Sequence, residues 1–449
     1  MSTSLQLEPG SPAAILADRI EKSVATVAVI GMGYVGFPLA RALHEVGYRV
    51  IGFDIDDRKI EMMQRGESYL GHLGQDYFRS LTEGERFSPT NDPERIADAD
   101  VVILCVPTPL GPHQEPDLSY VIDSTRLVAK RLRPGQLIVL ESTTYPGTTR
   151  DEMLPILEES GLQSGKDFFV AFSPEREDPG RVGVTTAQIP KLVGGLDEPS
   201  TRLAVTFYSN AIAQVHEVSS AEVAEAAKIL ENVYRAVNIA LVNELKVVFD
   251  RLGIDVWEVV AAAATKPFGF QAFYPGPGLG GHCIPIDPFY LAWRAKQAGH
   301  PTRFIELAGE INSGMPRVVV ERVAEALNED GMALNGAKVL VSGIAYKPDI
   351  DDIRETPAAS IIEMLQEQGA EVSYHDPHCP TFPEMKKHDL DLASVDMNPA
   401  TLQSANCVLI VTDHAAVDYA MIGEHANLVV DTRNAMANVV DPKARVIKA

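Results

Sequence analysis

Positive charge is in short supply: 39 lysines and arginines face 62 aspartates and glutamates, a net charge of −23. A nucleic-acid partner would want a basic face, and an anionic membrane surface would repel this chain. Any anionic substrate must be held by a local basic cluster working against the global field. Cysteine is scarce too. The four, Cys105, Cys283, Cys379 and Cys407, stand too far apart for a zinc pattern or a dense disulfide framework. Cys105 and Cys407 fall in apolar runs and read as small hydrophobes in buried strands, so a reducing cytoplasm is the expected home. No apolar run approaches the ~20 residues of a membrane span, and no basic stretch followed by an apolar core marks a signal peptide. The 449 residues, 45% hydrophobic and 22% charged, are ordinary for a globular protein of several domains.

Against those absences stands one crowded stretch, Pro275-Gly276-Pro277-Gly278-Leu279-Gly280-Gly281-His282-Cys283-Ile284-Pro285-Ile286-Asp287. It is too rich in glycine and proline for a helix or a central strand. It therefore carries a thiol on a loop that a ligand can approach closely. Cys283 has two readings, a structural thiol in a tight loop or a nucleophile; reactivity needs a depressed pKa, to which His282 and Asp287 are near enough in sequence to contribute.

Apolar runs alternate with helical stretches in two series. Thr26–Ile30 leads into Gly31-Met32-Gly33-Tyr34-Val35-Gly36. Tyr48–Phe53 ends in Asp54, Val101–Val106 in Pro107-Thr108-Pro109, and Leu137–Leu140 in Glu141-Ser142-Thr143-Thr144. Strands buried on both faces and alternating with helices predict an α/β fold with a parallel, doubly wound sheet. The order recurs at Lys338–Gly343, Glu371–His375 (again followed by aspartate, Asp376), Cys407–Thr412 and Leu428–Asp431. This predicts a second Rossmann-type unit whose first loop, Gly343-Ile344-Ala345-Tyr346-Lys347-Pro348, has lost the glycine cradle. That loop suits an anion held by side chains.

Between the series, Ser219 and Glu222 form a capping-box pattern. Val223, Ala226, Leu230, Val233, Val237, Leu241 and Leu245 follow at helical spacing. A helix of roughly thirty residues is expected, against a typical ~11–12. It serves either as a spine and dimer interface or as a helix packed wholly within its own subunit. The organisation expected is a tail (1–24), a first Rossmann-type domain (25–215), a central helical domain carrying the cysteine loop (216–320) and a second Rossmann-like domain (321–449).

The first glycine loop sits between a strand and a helix, as a dinucleotide fingerprint requires. Asp54 would accept from ribose hydroxyls and repel a 2′-phosphate, favouring NAD; Arg58 and Lys59 weaken that preference slightly. The alternative is a Rossmann turn with no ligand. Lys228 and Asn232 share a helix face, extended by Arg235 and Ile239. They are either a solvated stripe or a pair that polarises a sugar oxygen. Lys347, Arg354 and Arg433 follow strand ends in the second unit, where open sheets bind ligands. They fit a diphosphate or ordinary surface ion pairs. Ser173-Pro174-Glu175-Arg176-Glu177-Asp178-Pro179-Gly180 offers Glu175 as an acid/base group or is simply a polar loop. His375, His378 and Cys379 read as a loop, not a metal site.

Gly31–Gly36, Glu141-Ser142-Thr143, Ser173-Pro174-Glu175, Lys228/Asn232, Gly280-Gly281-His282-Cys283 with Asp287, and Tyr346-Lys347-Pro348 through Arg354-Glu355-Thr356 occur in the order found in NAD-dependent UDP-sugar 6-dehydrogenases. The chain resembles that family nearly end to end. The resemblance implies a four-electron oxidation of a sugar C6 alcohol through a thiohemiacetal and a thioester on Cys283. By the same resemblance, Lys228 stabilises the oxyanion with help from Asn232, and Thr143 and Asp287 hold the hydrolytic water, Asp287 being the candidate base. Glu175 handles protons. NAD contacts are implied for Gly31, Gly33, Tyr34, Val35, Gly36, Asp54, Arg58, Lys59, Pro107, Thr108, Ser142 and Thr143. Substrate contacts are implied for Glu175, Arg176, Lys228, Asn232, Arg235, Phe273, Tyr274, Gly280, Lys347, Arg354 and Arg433. Two departures bear on the sugar: Pro179 where UDP-glucose enzymes usually have a second glutamate, and Ile286 where they have a lysine. With Lys266-Pro267-Phe268-Gly269-Phe270 and His282, these resemble the branch acting on UDP-N-acetylglucosamine in surface-polysaccharide synthesis. UDP-N-acetylmannosamine, UDP-glucose and UDP-galactosamine derivatives are the alternatives. A two-electron dehydrogenase and a non-catalytic nucleotide-sugar sensor are the rival functions; retention of Cys283, Lys228, Asn232 and Asp287 together speaks against the sensor. A homodimer or larger homo-oligomer through the 219–250 helix is expected.

Overall fold

The computed structural model describes residues 8–70, 73–111, 114–176, 185–281, 284–383, 385, 388 and 390–449. The chain divides into two units: residues up to Glu231 with Phe289–His300, and Asn232–Pro288 with Pro301–Ala449.

The first unit is built on eight strands: β1 (Thr26–Ile30), β2 (Arg49–Phe53), β3 (Phe87–Thr90), β4 (Val101–Leu104), β5 (Leu137–Leu140), β6 (Phe169–Phe172), β7 (Lys191–Gly195) and β8 (Val215–Glu217). They lie in the order β3-β2-β1-β4-β5-β6-β7-β8. The first six are parallel in the Rossmann order, and only β6 and β7 run antiparallel. β1, β4 and β5 are apolar almost throughout because helices cover both faces. β3 is an edge strand, where its Pro89 costs no ladder hydrogen bond. Cys105 lies just past β4 and is only partly buried, a correction to its reading as a strand-core hydrophobe. The polar-looking N-terminus contains the helix Pro12–Glu21, capped by Ser11, which buries Ala13, Leu16 and Ile20. Their i, i+3, i+7 spacing puts all three on one face, and they join the core that holds Val27 and Leu203.

The second unit carries β9 (Lys338–Ser342), β10 (Glu371–His375), β11 (Cys407–Ile410), β12 (Leu428–Asp431) and β13 (Arg445–Lys448). All are parallel, in the order β10-β9-β11-β12-β13. The protein is thus α/β with two Rossmann-type sheets.

The central helix runs unbroken from Ala221 to Arg251, 31 residues. Ser220, not Ser219, caps it by accepting from the Val223 N–H at 3.4 Å. Its buried row is Ala224, Lys228, Asn232, Ala236 and Asn243. The row picked out by apolar periodicity is the exposed one: Val223, Leu230 and Leu241 are 44%, 64% and 49% exposed, joined by Tyr234 and Val248. Periodicity found the helix, and of its two readings, a spine with an interface face or a helix packed wholly within its subunit, the exposed apolar row favours the first. The buried face carries amide and amine groups, and much of the apolar face is exposed among the described residues.

Candidate active site

In the first unit, Gly31 (φ +94°) receives β2 through its N–H to Phe53 O at 2.8 Å. A Cβ there would lie 2.4 Å from Cys105 O, and one at Gly36 would lie 1.9 Å from Gly31 O. Those two glycines are demanded by the chain's own packing. Gly33 is different: a Cβ would meet nothing within 4 Å, so the open backbone there is free for a ligand, as pyrophosphate approach requires. Asp54, closing β2, accepts from Met32 N–H at 3.0 Å through Oδ2 and from Asp56 N–H at 3.0 Å through Oδ1. Lys59 pairs with the same Oδ2 at 2.9 Å. The lysine charge is thereby matched, while the Arg58 side chain is 80% exposed. Among the cofactor candidates at the next strand end, Pro107 is exposed and Thr108 buried.

Ser142 links the ends of β4 and β5, accepting from Val106 N–H at 2.9 Å and donating to Val106 O at 2.7 Å. Beneath it lies a buried knot that sequence reasoning missed. Glu141 takes Lys191 Nζ at 2.8 Å on Oε2 and Tyr208 Oη at 2.5 Å on Oε1. Burial pushes the Glu141 carboxyl up, and the Lys191 charge opposes this. Lys191 also reaches Pro174 O, and Ser173 Oγ donates to Leu192 O at 2.8 Å. The knot thus fixes Glu141-Ser142-Thr143 and Ser173-Pro174-Glu175 as one piece. No spacing rule could have found it, because its members lie 50 and 67 residues apart. Arg176 directs its guanidinium to Glu231 at 2.6 Å and Pro190 O at 2.7 Å. Glu225, fully buried, accepts from Gly147 N–H, Thr149 N–H and Thr149 Oγ1. Burial raises its pKa to about 7 despite these three bonds. Lys228, one helical turn on, is 4% exposed, which rules out a solvated stripe.

In the second unit, Asn232 donates to Asp287 Oδ2 at 2.5 Å and accepts from Arg235 Nη2 at 2.6 Å. Both Asn232 and Asp287 are buried, and Asp287 is the first residue of the helix Asp287–Gln297. His282 and Cys283 lie outside the described residues, as do Glu177–Gly180 of the charged loop. The glycines that precede the cysteine are tied into this unit. Gly276 N–H donates to Asn243 Oδ1 at 3.0 Å, and a Cβ on Gly276 would meet Arg433 Nη1 at 2.7 Å. Gly280 and Gly281 press against Tyr346, with Gly281 N–H bonded to Arg354 O at 2.8 Å. The Gly280-Gly281 and Tyr346–Thr356 motifs, far apart in sequence, therefore meet. Arg354 itself forks onto Asp352 at 3.0 and 2.6 Å, and Arg433 Nε donates to Val411 O. Lys347 follows β9 in the same loop. Phe273 packs edge-on to Tyr234, and the half-exposed Tyr274 stacks on Trp257.

The first loop of this unit is closed. Asp376, the counterpart of Asp54, accepts from Ile344 N–H at 2.7 Å and Ala345 N–H at 3.2 Å. Burial alone would raise its carboxyl, but the His414 hydrogen bond and the Ile344 N–H outweigh it and hold it near 2. Asp349, His378 and His414 converge within metal-ligand reach. However, His414 Nδ1 accepts from Asp349 N–H at 3.0 Å and its Nε2 faces Asp376 at 3.1 Å. With both ring nitrogens engaged, His414 has no lone pair left for an ion.

Three family descriptions match in order: the NAD-binding domain of the UDP-glucose/GDP-mannose dehydrogenase family over residues 25–212, its central domain over 222–314 and its UDP-binding domain over 340–438. The chain belongs to the UDP-glucose/GDP-mannose dehydrogenase family. It is 37% identical over 390 residues to Protein CapL of Staphylococcus aureus (86% of this chain, 89% of that one). It is also 37% identical over 355 residues to the UDP-N-acetyl-D-glucosamine 6-dehydrogenase of Pseudomonas aeruginosa (78% and 82%). The solved UDP-D-ManNAc dehydrogenase of Pyrococcus horikoshii superposes with a TM-score of 0.84 at 31% identity, covering 94% of this chain and 99% of that one. The family is one of NAD-dependent UDP-sugar dehydrogenases, so this dehydrogenase is an oxidoreductase with NAD as cofactor and a nucleotide sugar as substrate. The open backbone at Gly33 fits that cofactor. Among the described residues, no helix is long and apolar enough to cross a membrane.

Proposed function

We propose that the chain oxidises UDP-N-acetyl-D-glucosamine at C6 to the uronate, for surface polysaccharide. The overall change takes one alcohol, two NAD and one water to one carboxylate, two NADH and three protons. NAD, when bound, accepts the hydride from C6. The chain's own residues do the rest. The Gly31–Gly36 loop and Asp54 receive the dinucleotide, with Tyr34, Val35, Thr108 and Ser142 around it. Lys228 stabilises negative charge on the C6 oxygen, and Asn232 assists. Cys283 attacks the aldehyde carbon to give a thiohemiacetal, whose oxidation leaves a thioester. Asp287 takes a proton from the water that cleaves the thioester, Thr143 orients that water, and Glu175 handles protons on the sugar side. Lys347, Arg354 and Arg433 hold the uridine diphosphate.

One observation carries the mechanism: Asn232 meets Asp287 at 2.5 Å, both buried. This sets the amide beside the carboxylate four residues after Cys283. Pro179 and Ile286 favour the N-acetylglucosamine substrate, as does the likeness to the Pseudomonas enzyme. The likeness to the Pyrococcus enzyme keeps UDP-N-acetylmannosamine as the second reading. The exposed apolar row at Val223, Leu230 and Leu241 supports a homodimer built on the central helix.

The test is NADH formed per mole of limiting UDP-N-acetylglucosamine, with UDP-N-acetylmannosamine and UDP-glucose in parallel. Two NADH from the first sugar and little from the others is expected. One NADH would remove Cys283 from the chemistry, and preference for another sugar would overturn the substrate alone. A monomeric mass by light scattering would sink the dimer.

A further inference from the structure

The second unit holds a cavity of about 390 Å³ that the chemistry above does not use. Its walls come from the last turns of the central helix, the helix Val256–Ala264, the helix Arg303–Glu329 and the end of β13. Lys246 lines it. This lysine is 7% exposed, and among the described residues its Nζ has no hydrogen-bond partner. Arg322, from the facing helix, lines the same cavity with a buried Nε that also lacks a partner among those residues.

A buried amine with no hydrogen-bond partner, beside a buried guanidinium N–H that also lacks one, is unusual, because a buried charge is costly unless paired and hydrogen-bonded. Lys448 and the outer nitrogens of Arg322 do have partners. Lys448 pairs with Asp255, and the outer nitrogens of Arg322 reach Glu325 at 3.2 Å and Asp250 at 3.7 Å. Burial, with Arg433 nearby, pushes the Lys246 amine down to about 8, while Asp250 and Asp431 pull the other way. Among the described residues, no carboxylate is hydrogen-bonded to that amine.

We propose that this cavity is a binding site for a small organic monocarboxylate, its oxygens taken by Lys246 Nζ and Arg322 Nε and its apolar body lying against Trp257 and Val318. The wall selects the class. One oxyanion satisfies the two orphan donors. A second negative charge, as on a phosphate dianion or a nucleotide, would face Asp250, Glu321 and Glu325. The volume falls in the range of small-molecule pockets, ~300–1,000 Å³.

Benzoate titrated into the full chain is the test, followed by calorimetry and by Trp257 emission in a Trp293→Phe background, which leaves Trp257 the sole tryptophan of the two. Saturable binding is expected, with benzyl alcohol and inorganic phosphate each at least about tenfold weaker. Lys246→Met should weaken benzoate by about ten- to a hundredfold, the scale of a charge-assisted hydrogen bond. Unchanged binding in Lys246→Met, no saturation by benzoate, or phosphate binding more tightly than benzoate would each overturn the proposal. If Lys246→Met fails to fold by circular dichroism, Val318→Phe, which fills the cavity from the other wall without adding a tryptophan, must abolish the signal; persistence would equally overturn it.

Discussion

Asn232 stands between Arg235 and Asp287, its amide nitrogen on the carboxylate at 2.5 Å and its oxygen on the guanidinium at 2.6 Å. The pairing fixes which way the amide points, since the reverse would set like groups together. Asn232→Asp therefore places two carboxylates in contact, and one must hold a proton near neutrality. Turnover should drop at least a hundredfold at pH 7 on the proposed reading, with the loss deepening as pH falls. Asn232→Leu removes one donor from the buried Asp287 and should cost about 1–3 kcal/mol of stability. Steady-state pH profiles and urea melts of the two variants check this; a flat, wild-type-like profile for Asn232→Asp would remove Asp287 from proton transfer.

The glycine loop separates packing from binding. Gly36→Ala forces a Cβ against Gly31 O and should destabilise the first unit by several kcal/mol. Gly33→Ala meets open space and should melt like the parent while losing most NAD affinity. Calorimetric titration with NAD beside thermal melts distinguishes them; equal destabilisation by both would refute the ligand reading of Gly33.

Cofactor choice should run through Asp54 and its ion pair with Lys59. Asp54→Asn keeps an acceptor for Met32 N–H, removes the charge and frees Lys59. KM for NAD should rise by about ten- to a hundredfold, and the NAD-over-NADP ratio of kcat/KM should shrink. A ratio that does not move means the 2′ position is read elsewhere.

Glu225 supplies a pH signature. Its folded pKa is raised to about 7 from 4.5. Between those values the folded chain keeps a proton that the unfolded chain has released. The contribution to stability is therefore full below about pH 4.5 and lost as pH rises through 7. Glu225→Gln cannot ionise, so its stability relative to the parent should improve by up to about 3 kcal/mol from pH 4.5 to 7. Urea melts at several pH values measure the difference. A constant difference would mean that the three donors keep Glu225 ionised throughout.

The legible part of this protein was local. Strands ending in Asp54 and Asp376 announced two Rossmann sheets, because an apolar run and its turn are written in neighbouring residues. β3 and β13, short edge strands, escaped, and so did β6, β7 and β8, which continue the first sheet beyond β5. The central helix was found at nearly its full length, but which of its faces is buried was not. Apolar spacing identifies a stripe without saying what covers it, and here the chain buries Lys228, Asn232 and Asn243 and leaves Leu230 and Leu241 bare. The Glu141–Lys191–Tyr208 knot and the orphan Lys246 were invisible, since each depends on segments far apart in sequence. The histidine cluster was half seen: His378 was noted, but His414 enters from a distant loop.

The two aspartates also differ in what they leave room for. Beside Asp54 the backbone at Gly33 stays open, whereas Asp376 takes both amides of Ile344-Ala345. Among the described residues, each chain thus offers a dinucleotide one open strand-end loop for a reaction that, as proposed, moves four electrons. That loop must be vacated and refilled midway, with the half-oxidised sugar kept in place. Starved of fresh NAD, the protein should stall after one equivalent of NADH per chain, still holding its sugar.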